Sequence, residues 1–147
     1  MSIPQVGDSV IEHHSQLAEY LAEGSKKKCD WKIGTEHEKF VYDKKSYLPL
    51  PYSGKCSIQT ILEKLKNAYG WNPIMENQYL IGLEKNGANV SLEPGGQLEL
   101  SGAPLETIHS TCNEASEHLN QVRTIAEEIG AGFIGFHLCK KFVSKGF

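Results

Sequence analysis

The sequence predicts an α+β fold in which helices cover a largely antiparallel sheet. Two observations carry that prediction. Apolar residues recur at helical spacing in three separate stretches, each closed by a glycine. Between the second and third stretches, Asn86-Gly87 and Pro94-Gly95-Gly96 divide residues 79–101 into three short runs of strand length. Helix, strand, helix, meander, helix, strand is the order of an α+β domain, not of alternating βαβ units.

In chain order, Val10, His13, His14, Leu17, Tyr20 and Leu21 mark a first helix over Ser9 to Glu23, with Asp8 as its N-cap and Gly24 as its stop. The following run Lys26, Lys27, Lys28 reads as a solvated connection. From Trp31 to Tyr42 the residues alternate as in a strand. Trp31, Ile33, Thr35 and His37 fall on one face, and Glu36, Glu38 and Phe40 on the other. Ser57 is a good N-cap for a second helix carrying Ile58, Ile61, Leu62, Leu65 and Tyr69, and Gly70 ends it. After the meander, Pro104 is expected to open a long third helix. Its stripe runs through Leu105, Ile108, Cys112, Ala115, Leu119, Val122, Ala126 and Ile129 to Gly130. Gly132 to Leu138 reads as a last strand.

The 147 residues suffice for one core, and 39% hydrophobic with 22% charged residues excludes disorder as the main state. Fifteen basic against 18 acidic residues leave a net charge of -3, which provides no field for nucleic acid. No apolar run approaches the ~20 residues of a membrane-spanning helix, and Met1 to Asp8 lacks the basic start and apolar stretch of a secretory signal. The expectation is a cytoplasmic chain without nucleic-acid or membrane partners. Cys29, Cys56, Cys112 and Cys139 form no Cys-x-x-Cys pair and read as reduced thiols.

The chemistry concentrates in carboxylates. Glu36 and Glu38 stand ~7 Å apart on one strand face, a hard-oxygen pair of the kind magnesium takes together with water and phosphate oxygens. In the meander, Gln97, Glu99 and Ser101 share a face, as do Ser91 and Glu93, and the Pro-Gly-Gly reversal can bring the two faces together. The alternatives are an outward strand face that simply carries Glu, and a glycosidase, which also uses paired carboxylates. His109 and His118 lie nine residues apart on the third helix, about half a turn out of phase, and cannot share a metal. His37 points away from the acid pair and reads as a satisfied core histidine or one on the second face of the sheet.

Two segments carry a resemblance. WKIGTEHEKF (31–40) and SLEPGGQLELSGAPLETIH (91–109), with Ile81-Gly82-Leu83 and the Thr111 to Glu114 and His118-Leu119 portions of the third helix, resemble glutamate-cysteine ligase of the plant and proteobacterial type over roughly Asp8 to Phe136. The resemblance implies a fold related to glutamine synthetase, an antiparallel sheet curled into a funnel for metal ions and ATP. It implies that ATP activates the γ-carboxylate of glutamate as an acyl phosphate, which the cysteine amine attacks to give γ-glutamylcysteine. By the same resemblance Glu36, Glu38, Glu93 and Glu99 would hold Mg2+, with Glu36, Glu38 and Glu99 closest to the chemistry. Glu93, Gln97 and Ser101 would line the ATP side. The implied partners are glutamate, cysteine and ATP. The family's chain is longer, and the lone Arg123 cannot stand for the carboxylate clamps of its later part. The 147 residues are therefore expected to be a single domain, the N-terminal portion of a longer ligase. Its tail, 137–147, departs from the family pattern, and its unfinished sheet edge favours self-association. An inactive fragment, or a module that binds Mg-ATP or glutamate without turnover, is the alternative.

Overall fold

The computed structural model describes residues 10–135. The elements run α1 (His14–Glu23), β1 (Glu36–Asp43), α2 (Ile58–Tyr69), β2 (Asn72–Glu76), β3 (Tyr79–Lys85), β4 (Ala88–Glu93), β5 (Gln97–Ser101), α3 (Ile108–Ile129) and β6 (Ala131–Gly135). The six strands form one sheet in the order β2-β3-β4-β5-β1-β6, every neighbouring pair antiparallel. The α+β architecture read from the sequence is the one observed.

Local chemistry sets most boundaries. The Ser57 hydroxyl accepts the Thr60 N–H at 3.2 Å to start α2, and Gly70 ends it at φ 69°. Asn86 and Gly87, at φ 52° and 83°, make the tight reversal between β3 and β4 that this dipeptide favours. Gly95 and Gly96 both take φ 78° in the β4–β5 reversal.

Several expectations are corrected. Helix α1 begins at His14 and not near Ser9, because Gln16 reaches back to accept the His13 N–H at 2.9 Å and so caps the helix there; Asp8 lies outside the described residues. Strand β1 starts at Glu36, five residues after Trp31; before it only Ile33 makes a bridge, to Leu105. Helix α3 starts after Thr107, whose hydroxyl accepts the Ser110 N–H at 3.1 Å, so Pro104 sits in the connection and not in the first turn. Its buried stripe is Thr111, His118, Gln121, Val122, Ile125 and Ala126; Ile108 and Cys112 are exposed. Strand β2 (Asn72–Glu76) has no counterpart among the elements the sequence predicts. The part of the last strand beyond Gly135, and the tail 137–147, lie outside the described residues.

The core lies between one sheet face and the helices α2 and α3. Val41, Leu83, Val90, Leu98 and Leu100 meet Ile58, Ile61, Leu62 and Leu65 of α2 and Val122, Ile125 and Ala126 of α3. Helix α1 buries none of its residues. Among the described residues no helix is long and apolar enough to cross a membrane.

Candidate active site: the carboxylate face

Strand pairing decides which side chains share the other face of the sheet, because residues directly opposite in an antiparallel ladder point the same way. Glu38 pairs with Glu99, which pairs with Ser91, which pairs with Gly82. Glu36 pairs with Ser101, which pairs with Asn89. Phe40 pairs with Gln97, which pairs with Glu93. Three parallel rows therefore cross β1, β5 and β4. All six residues singled out from the sequence, Glu36, Glu38, Glu93, Gln97, Glu99 and Ser101, stand within them.

The rows are graded in exposure. Glu36 and Glu38 are exposed at the β1 side, whereas Glu99 and Glu93 are only 5% and 9% exposed. Serines two residues away on the same strands supply donors: Ser101 Oγ to Glu99 Oε1 at 3.2 Å, and Ser91 Oγ to Glu93 Oε1 at 3.1 Å. Ser91 thus takes for Glu93 the part that Ser101 takes for Glu99, and its i, i+2 spacing from Glu93 was the signal. Gln97 turns its amide to the Pro94 carbonyl at 3.3 Å, so it braces the reversal and does not reach the acids by that group. Gly82 floors the central row: a Cβ there would stand 2.9 Å from the Val90 carbonyl oxygen, so the strands approach closely only because no side chain intervenes.

Glu38 stands directly opposite Glu99, which also lies within side-chain hydrogen-bonding reach of Glu93 and feels the charge of the buried Lys39, so the carboxylates of this face are gathered around Glu99. Among the described residues no three His, Cys, Asp or Glu side chains form a ready-made metal cage. A pair of facing carboxylates is the donor set that magnesium takes, together with water and phosphate oxygens. Glu38 and Glu99 are the pair whose register fits it; Glu36 is one row away, and Glu93 lies diagonally across the β4–β5 pair.

Beneath this face, on the helix side, the sequence reading missed a basic cluster. Lys39 is fully buried, its Nζ donating to the His37 carbonyl oxygen at 2.7 Å and lying 3.3 Å from His37 Nδ1. His118 of α3 is 2% exposed, and its ring nitrogens make no hydrogen bond among the described residues. Burial, then the neighbouring Lys39 and His37, push the His118 pKa down to about 3. His37 is lowered as well, first by burial and then by Lys39. His37 does point away from Glu36 and Glu38, as its alternation requires.

The family model described as glutamate-cysteine ligase family 2 matches residues 32–139. The chain belongs to that family. The family match includes β1 to β6 and every residue of the three rows. Three relatives named glutamate–cysteine ligase, chloroplastic, are similar: one from Medicago truncatula, 46% identical over 146 residues, covering 97% of this chain and 28% of the relative; one from Nicotiana tabacum, 48% identical over 136 residues, covering 90% and 26%; and one from Brassica juncea, 48% identical over 119 residues, covering 81% and 23%. The chain spans about a quarter of the length of these family members. The cytoplasmic placement expected from composition is corrected here: the relatives carry chloroplastic names, which point to the chloroplast. A secretory signal is read by composition at the first residues, and its lack says nothing about other addresses.

Proposed function

We propose that this chain supplies the metal- and phosphate-handling part of a glutamate–cysteine ligase, the portion of the enzyme in which ATP phosphorylates the glutamate γ-carboxylate. The observation that carries the reading is the register that sets Glu38 against Glu99, and Glu36 beside Ser101, on the sheet face away from α2 and α3. The sequence-level match to relatives named for this reaction supports it. Bound Mg2+ would neutralise charge on the phosphate oxygens as the phosphoryl group moves. Glu38 and Glu99 would hold the ion, with Glu36 and Glu93 flanking it. Ser101 and Ser91 orient Glu99 and Glu93 through their hydroxyls, and Gln97 fixes the reversal that closes the ATP side. The γ-glutamyl phosphate formed is then attacked at its acyl carbon by the cysteine amine, and phosphate leaves.

Isothermal titration with Mn2+, in the presence and absence of ATP, tests the site. Binding strengthened by ATP, and weakened at least tenfold in Glu99→Gln with the fold intact by circular dichroism, is the expected result. Equal binding by Glu99→Gln overturns the assignment. Mass spectrometry of the chain incubated with glutamate, cysteine and Mg-ATP separates two forms of the reading. γ-Glutamylcysteine would show that these 147 residues hold every group the ligation needs. ATP binding without product would make the chain a Mg-ATP-binding portion, in keeping with its covering about a quarter of its relatives.

A further inference from the structure

The segment joining β5 to α3 runs back along the residues before β1. Gly102 N donates to the Thr35 carbonyl oxygen at 2.6 Å, and Ile33 and Leu105 exchange hydrogen bonds at 2.7 and 2.9 Å. Between these two ties one residue, Gly34, faces two, Ala103 and Pro104, so the pairing bulges there. The Ala103 N–H is instead taken by α3: Glu114 Oε1 accepts it at 3.0 Å. The other oxygen, Glu114 Oε2, is buried against Gly102, where a Cβ would overlap it and would also stand 3.2 Å from Thr35 N. Glu114, Gly102 and Thr35 therefore meet at one point. The next residue along β1 is Glu36, the preceding residue on β5 is Ser101, and those two are register partners.

We propose that Glu114 is a positioning residue: its carboxylate, by taking the Ala103 N–H and seating on Gly102, locks the β1–β5 register at the end where Glu36 meets Ser101 and so sets the spacing of the carboxylate rows. The inference rests on the reading of those rows as the metal face. The Glu114 carboxylate lies on the helix side, against Ala103 and Gly102, and outside the carboxylate rows. It acts through the backbone that carries the acids, as outer groups do when they orient the ligands of a metal.

Titration of the 147-residue chain with Mn2+, well below each variant's melting temperature, tests the proposal. Glu114→Ala is expected to weaken Mn2+ binding about tenfold, by loss of an orienting group. Glu114→Gln keeps an amide oxygen for the Ala103 N–H and is expected within about twofold of the parent chain. Val122→Ala destabilises α3 elsewhere and is expected to lower the melting temperature without changing Mn2+ affinity. Unchanged affinity in Glu114→Ala overturns the proposal, as does a Gln variant as weak as the Ala variant. If Glu114→Ala does not fold, Glu114→Asp, which keeps the charge and loses the reach, carries the same comparison. Failure of the parent chain to bind Mn2+ overturns the metal-face reading itself and this proposal with it, an outcome distinct from failure in the variants alone.

Discussion

Lys39 and His118 are the two residues whose burial costs the fold most visibly. Burial lowers the Lys39 pKa to about 8, against the pull of Glu99 in the other direction. An unfolded lysine titrates near 10.4, so between pH 8 and 10 the unfolded chain binds more protons and stability rises with pH. Below pH 8 the full cost of a buried ammonium is present. Lys39→Met is therefore expected to stabilise the fold at pH 7 by about 1–3 kcal/mol in urea denaturation, and to abolish the rise between pH 8 and 10. His118 has the same sign at lower pH. Its folded pKa of about 3 lies below the unfolded ~6.5, so the unfolded state takes up the proton first and stability is lost as pH falls from about 6.5 toward 3. The loss between pH 7.5 and 5.5 is expected to be about 1 kcal/mol, and His118→Leu should remove that pH dependence. A His118→Leu chain with the same acid sensitivity would place the titrating group elsewhere. Neither burial was legible in the sequence. Lys39 alternates with Glu38 as any strand residue does, and only the closure of α3 over β1 shows that its side is the inner one.

At the scale of elements, caps and turns were the most legible features. Ser57, Gly70, Asn86-Gly87 and Gly130 each demand a particular backbone geometry and end or begin the elements where they were expected to. Ser57→Ala removes the acceptor for the Thr60 N–H and the Ser57 bond to the Gly54 carbonyl oxygen. It should cost about 1 kcal/mol in thermal or urea denaturation. Strand β2 was illegible for a physical reason. Asn-Pro-Ile-Met-Glu does not alternate cleanly, and Pro73 argues against a strand in the middle of a sheet. Among the described residues it is the edge strand beside β3, with one side unpaired, where the missing N–H of proline is tolerated. The start of α3 was misplaced because Pro104 and Thr107 are both valid start signals, and the Ile33–Leu105 bridge holds residue 105 in extended backbone.

At the scale of the molecule, one core joins the sheet to α2 and α3, and its unfolding should be cooperative. Leu65 has no exposed surface and sits among the α2 residues that face the sheet. Leu65→Ala is expected to destabilise by about 2–5 kcal/mol, with circular dichroism and the fluorescence of the buried Trp71 following one transition. Separate transitions for the two probes would divide the chain into more than one unit. The sequence by itself determined the α+β class, the three helices, the meander and its turns, and the residues of the carboxylate face, because spacing and turn chemistry are local and each element states its own period. It also contained motifs specific enough to point to the family. Only the tertiary structure decided that β1 inserts between β5 and β6 and thereby sets Glu38 against Glu99, that Lys39 and His118 are enclosed, and that Glu114 ties α3 to Gly102. Those facts depend on which strands pair and which faces close on each other, and long-range pairing leaves no trace in the period of a single segment.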